Sequence, residues 1–341
     1  MTDAPLTAAD ERQNVRGPAG PAPRRPPESV RRTSTIDMTW PGGWGTQLRL
    51  SGRARDVVTH DTGDAPVVVA TAAAEVGIGF NRTIEEISVT PTRDGVDGLV
   101  GCRGGGYLRA ALDEKLPGER EAGTPLYLLL DDISGASLIA GFAWSRWTDE
   151  WQRPLDRDIR PSMEGVCIGF RPGSSALIEV AGGPPSHRAQ PVGSLVNPDD
   201  PHGWHELAEL PDVSLRRARR IDVWRDAADG LIRIDSAFQD SAGDPRHGRV
   251  AVHEYALRAT ADPETLEVLT VEPDARILPF MECPSAMGTA SAVVGAPLAE
   301  LRAVVLARLA KTNGCTHLND ALRALAEVPV LLGHLTAAAR R

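Results

Sequence analysis

Gly314-Cys315-Thr316-His317-Leu318 places a thiol and an imidazole two residues apart where a helix reads as beginning. The positive end of a helix dipole favours thiolate over thiol. Cys315 could then act as a nucleophile, with His317 or His253 taking its proton. Cys283, in Pro279-Phe280-Met281-Glu282-Cys283-Pro284, and His253, followed by Glu254, complete a set of two sulfurs and two imidazoles. Such a set suits Zn(II), or Fe(II) if one position stays open. No pair has Cys-x-x-Cys or His-x-x-x-His spacing, so two chemistries remain open: a metal that polarises a carbonyl or generates hydroxide, and a metal-free thiolate. The expected catalytic residues are His253, Cys315 and His317, and the expected metal ligands are His253, Cys283, Cys315 and His317.

Other motifs are weaker. Gly165-Val166-Cys167-Ile168-Gly169 has the spelling of a nucleophile elbow, but Phe170-Arg171-Pro172-Gly173 cannot start the helix an elbow requires. His202-Gly203-Trp204-His205-Glu206 carries a His-x-x-His pair in a Pro-rich stretch, and Arg216-Arg217-Ala218-Arg219-Arg220 could meet an anionic group. Trp204, His205 and Arg220 are the expected substrate contacts. Trp144, Trp147 and Trp151 read as anchors for the following linker.

These residues need elements to hold them. Ile221–Trp224, Leu231–Phe238, Val250–Ala259 and Leu266–Arg276 are short apolar or alternating runs separated by Asp229-Gly230, Asp244-Pro245 and Asp262-Pro263, which predicts a four-stranded antiparallel meander. On the third run His253 shares a face with Ala251, Tyr255, Leu257 and Ala259, while Glu254 and Arg258 point the other way. Helical spacing then follows at Leu298, Leu301, Val305 and Leu309, and again at Leu318, Leu322, Leu325 and Val328. Strands followed by helices indicate an α+β fold. Upstream, Arg31-Arg32-Thr33-Ser34-Thr35-Ile36-Asp37 is echoed by Arg216 to Asp222, Asp56 by Asp240, and Thr83 to Pro91 by Thr265 to Pro273. Thr71 stands where His253 would fall. The expectation is two tandem pseudo-repeats: residues 31–147 degenerate, and residues 216–333 carrying the site. A Pro-rich linker (148–215) joins them, a Pro-, Gly- and Arg-rich lead-in (1–30) expected to be disordered precedes them, and a tail (334–341) follows.

Residues 216–333 resemble an uncharacterised bacterial domain family of unknown function. The resemblance rests on Arg220-Ile221-Asp222, Asp229-Gly230-Leu231, His253 with an acid after it, Pro279-Phe280 with Cys283, and Gly314 to Leu318. Family members usually show Asp and Met after the His, where this chain has Glu254 and Tyr255. The resemblance implies that these positions belong together and supplies no activity.

The bulk properties narrow the partners. With 341 residues, a net charge of −9 and 42% hydrophobic content, the chain is globular, and its acidity argues against nucleic acid or an anionic membrane surface. No stretch reads as a signal or membrane-spanning segment, and four scattered cysteines point to a reducing, cytoplasmic setting. The expectation is a hydrolase, lyase or isomerase, metal-assisted through Zn or Fe(II), acting on a small organic metabolite at a Cys/His pocket. A homodimer is compatible with this. The alternatives are a non-catalytic metal or small-ligand binder and a metal-free cysteine enzyme.

Overall fold

Strand β1 (Ser29–Thr39) lies at the centre of one antiparallel sheet, paired on one side with β2 (Leu48–Thr59) and on the other with β6 (Ser214–Arg225). The computed structural model describes residues 15–61, 65–148, 163–177 and 188–338. Outward from β2 run β3 (Val67–Ile78) and β4 (Ile84–Thr90); outward from β6 run β7 (Ile232–Asp244) and β8 (Gly248–Ala261). The free edge of β8 takes both β9 (Val268–Ile277) and the two-residue β5 (Gln190–Pro191). The expected meander is therefore present as β6 to β9, and it shares its sheet with the earlier strands.

The helices all follow strands, which makes the fold α+β. After β4 come α1 (Leu108–Lys115), α2 (Glu119–Ala122) and α3 (Pro125–Ile139); after β9 come α4 (Leu301–Arg308), α5 (Thr316–Ala324) and α6 (Val328–Ala338). Thr124 caps α3 by accepting from the Tyr127 amide at 3.3 Å, and Pro125 fills the first turn, where a missing N–H costs nothing. From Pro125 to Arg146 the chain is long and apolar enough to cross a membrane by composition, contrary to the sequence reading. The reason is its core position: 72% of its apolar 18-residue window is buried inside the fold. Trp144 packs edge-on against Trp40 and Trp44, and Trp147 donates to the Gly243 carbonyl, so these rings anchor the chain leaving the helix layer; Trp151 lies outside the described residues.

Apolar side chains of alternate strand positions, such as Val30, Ile36 and Met38 on β1 and Leu215, Ile221 and Val223 on β6, face the helices. The same rows also carry buried charge. Arg32 forks onto Asp56, its partner in register on β2, at 2.7 and 2.6 Å, and reaches Glu327 between α5 and α6 at 2.8 Å. Arg217 forks onto Asp240, its partner on β7, at 2.9 and 3.0 Å. On the opposite face, across the β1–β6 seam, Arg31 pairs with Asp222 and Arg216 with Asp37.

Parts of the Pro-rich segments, around 19–25 and 195–205, lie on that opposite face, whereas residues 163–177 pack on the helix side. Residues 16 and 17 donate backbone hydrogen bonds to β9, Ala22 bonds to Leu195, and Arg25 is clamped by Asp200. Residues 15–28, expected within a disordered lead-in, thus run as a strap over the sheet. Their backbone groups find partners that a composition-based reading does not include.

Removing one member of a buried pair strands the other charge, which costs about 3–5 kcal/mol. Arg32→Met is expected to lower unfolding free energy by roughly that amount in urea titrations, and Arg32→Met with Asp56→Leu to recover most of it. An Arg32→Met protein as stable as the wild type would contradict this role.

Candidate functional site

His253 faces the helices in alternation with Tyr255, Leu257 and Ala259, and two local features complete the wall around it. Asp240 pairs with His253 but Ser241 pairs with Ala251, so Val252 is an extra residue in β8 and the strand bulges there. Val252 and His253 consequently line the same cavity, and the simple alternation from Ala251 to His253 expected from the sequence does not hold. The second feature is the start of α5. A Cβ on Gly314 would sit 2.6 Å from the Leu309 carbonyl oxygen, which only glycine avoids, and Asn319 ties that same carbonyl at 2.7 Å. Cys315 is the helix N-cap residue, and His317 projects from the first turn.

These elements enclose a cavity of about 290 Å³. Phe142, Phe170 and Phe280 form much of its apolar wall, three thiols (Cys167, Cys283 and Cys315) line it, and His253 and His317 make its polar side. The Ile168 amide donates to the Gly314 carbonyl at 2.9 Å, which brings Cys167 beside the start of α5. Sequence reasoning set Cys167 aside as an elbow, and the fold uses it as a lining thiol.

The imidazoles of His253 and His317 stack, with centroids 3.5 Å apart and planes 23° off parallel. Behind them lies Asp240. Its Oδ2 is 3.3 Å from His253 Nδ1 and 3.8 Å from His317 Nε2, and one donor atom from each of the three residues lies within 4.8 Å of the others. His253 Nδ1 is buried and makes no aligned hydrogen bond. Phe238 stacks on the far side of His317 at 5.9 Å, with the Arg219 guanidinium 4.6 Å from the Phe238 centroid.

Burial alone would raise the Asp240 pKa, but the charge and paired hydrogen bonds of Arg217, with the His253 imidazole 3.3 Å away, outweigh it and hold the carboxyl well below its usual range. Both imidazoles go down. Burial dominates for each, and His253 adds repulsion at His317. They are uncharged at neutral pH and offer free nitrogen lone pairs.

The thiols behave differently from the expectation drawn from helix polarity. Burial, then the neighbouring Cys167, pushes Cys315 up to about 11, against the lowering pull of the Leu318 and His317 amides. Burial and the other thiols push Cys283 well above its ordinary value. Desolvation therefore exceeds what a helix N-terminus returns.

Of the residues expected from sequence, His253, Cys283, Cys315 and His317 share this cavity, with the sulfurs outside the three-atom cluster of Asp240 and the two imidazoles. Arg220, Trp204 and His205 lie across the sheet. Arg220 is engaged by Asp222 and Asp235, and Trp204 and Arg220 line a separate cleft of about 320 Å³ that also holds Glu254. His205 bridges Thr33 and Thr35 at 2.8 and 2.9 Å, fastening β1. Asp240 and Arg217 were missed as site residues, although the echo of Asp56 by Asp240 marked one of them.

Residues 215–331 match a protein family of unknown function, DUF2889, so the C-terminal part of the chain carries a domain of that uncharacterised family. No curated protein and no solved structure matches the chain. The matched stretch runs from β6 into α6 and contains Asp240, both imidazoles, Cys283 and Cys315. It leaves out β1, which covers the edge of β6.

Because alkylation needs thiolate, Cys315 and Cys283 are expected to resist iodoacetamide at pH 7.5 and to react faster as pH rises toward 11, while half-buried Cys102 is modified first. Peptide mass spectrometry of the time course reads this. Rapid labelling of Cys315 at neutral pH would show a thiolate that this geometry does not support.

Proposed function

We propose that the chain is an enzyme of the hydrolase, lyase or isomerase type, acting on a small organic molecule whose reactive end lies against His253 and His317. The observation that carries the reading is a pair of uncharged imidazoles, backed by a buried carboxylate, on one wall of an otherwise largely apolar cavity. A cavity of about 290 Å³ suits a compact molecule, near the lower end of ordinary ligand sites. The apolar walls bind its body and exclude water; the polar wall handles its protons, directly or through a water held there. The raised thiols favour this over covalent cysteine catalysis. Cys283 and Cys315 then shape the cavity.

We also propose that the two halves are pseudo-repeats. In support, the alignment that matches Arg31 with Arg216 and Asp37 with Asp222 exchanges the two seam pairs, Arg31–Asp222 and Arg216–Asp37. Arg32–Asp56 likewise corresponds to Arg217–Asp240. The strand register puts Ala70 opposite Asp56, where His253 stands opposite Asp240, instead of the Thr71 expected from the sequence offset, so the second half alone carries an imidazole at that place. The first is then a structural partner.

The test is incubation of the purified protein with a small-metabolite extract, followed by mass spectrometry, with His317→Ala in parallel. At least one compound should be consumed by the wild type and spared by the variant. Its mass change assigns the class: gain of water for a hydrolase, loss of a neutral fragment for a lyase, none for an isomerase. Equal consumption by both proteins, or none by either, would remove the enzymatic reading.

A further inference from the structure

We infer that Asp240 Oδ2, His253 Nδ1 and His317 Nε2 bind one divalent first-row metal ion, Zn(II) or Fe(II), at the polar wall of the cavity. The use of that ion in turnover rests on the enzymatic reading above, whereas its binding does not. Donor atoms on a tetrahedron with bonds of 2.0–2.1 Å lie about 3.3–3.4 Å apart. The observed 3.3 and 3.8 Å separations are near that edge before any ion draws the groups in. The two rings must splay from their stack to aim both nitrogens at one point. His317, on the first turn of a helix and partly exposed, has the freedom to do so.

Three further observations support the site. First, His253 Nδ1 is a buried nitrogen without an aligned partner, and a bound cation would satisfy it. Second, Arg217 grips both oxygens of Asp240 and fixes the carboxylate plane, the kind of outer contact that orients a ligand, while each oxygen keeps a second lone pair. Third, the nearby guanidinium charge is already matched by carboxylates: Arg217 is held by Asp240 and Arg219 by Asp132 at 2.5 to 2.9 Å, while Asp320 is shared among Arg217, Arg109 and Arg323.

Two nitrogens and one oxygen form a different donor set from the two sulfurs and two nitrogens expected from sequence. Two imidazoles with one carboxylate suit Zn(II) with an open position or non-haem Fe(II), and select against the soft ions a thiolate set would favour. The sulfurs of Cys283 and Cys315 lie outside the cluster formed by the three donor atoms. When bound, such an ion supplies a Lewis acid that polarises an oxygen presented from the cavity.

Co(II) added to chelator-treated full-length protein provides the test. Visible ligand-field bands should saturate at one equivalent, without a sulfur-to-cobalt charge-transfer band, and Zn(II) should displace them. His317→Ala should weaken Co(II) binding at least about tenfold, and Cys315→Ser should leave the spectrum unchanged. Asp240→Asn should also lose binding, and if the stranded Arg217 prevents it from folding, His317→Ala alone decides. Absence of stoichiometric binding, an unaltered His317→Ala titration, or a charge-transfer band abolished by Cys315→Ser would overturn the site. Stoichiometric binding without turnover would remove only the enzymatic reading, and full turnover by chelator-treated protein would remove only the metal.

Discussion

Paired guanidinium and carboxylate groups buried in the middle of the sheet are the constraint on which the rest depends. Arg31, Arg32 and Arg217 are fully buried, and each has an aspartate in register on a neighbouring strand. A slip of one residue between β1 and β6 would move every side chain to the other face and leave these charges unpaired in a low-dielectric interior. Apolar burial favours the sheet, but the ion pairs permit one register. They also bind the layers together: Arg32 reaches Glu327 near α6, while Arg217 and Arg219 reach Asp132 on α3. A Cβ at position 135 would fall 2.0 Å from Arg217, so Gly135 leaves room for that contact.

The site is built out of this same scaffold. Asp240 is at once the strand partner of Arg217 and the carboxylate behind the two imidazoles. The strand register thus sets the position and charge of the polar wall, with His253 facing the helices in step with Tyr255 and Leu257 and the bulge bringing Val252 to the same cavity. The start of α5, tied through Leu309 and Ile168, brings His317 over from the helix layer. Two consecutive strands and a helix much later in the chain therefore converge because each is fixed by contacts made for folding.

Much of this was legible in the sequence. Alternating runs between Asp-Gly and Asp-Pro turns announced β6 to β9, and helical spacing announced the elements around α4 to α6. His253, Cys283, Cys315 and His317 were recognised as companions, and all four line one cavity. What escaped was non-local. A bulge has no composition signature, so the Val252 insertion and the true face of Ala251 were invisible. The arginine run read as a contact for an anionic group, because nothing local shows that Arg216 and Arg217 meet aspartates from other strands. Helix polarity was legible at Cys315, but the depth of burial that overrides it depends on what packs on top. Trp204, His205 and Arg220 looked like substrate contacts by chemistry alone, whereas the face of the sheet on which they lie is a property of register.

The central claim is that the fold gathers Asp240, His253 and His317 closely enough beside the cavity for one metal ion to draw their donor atoms onto itself. Anomalous diffraction at the zinc edge, from crystals grown with Zn(II), tests it most directly. The account predicts one strong peak within bonding distance of His253 Nδ1, His317 Nε2 and Asp240 Oδ2. Density centred on the sulfurs of Cys167, Cys283 and Cys315, or only on surface side chains, would contradict it.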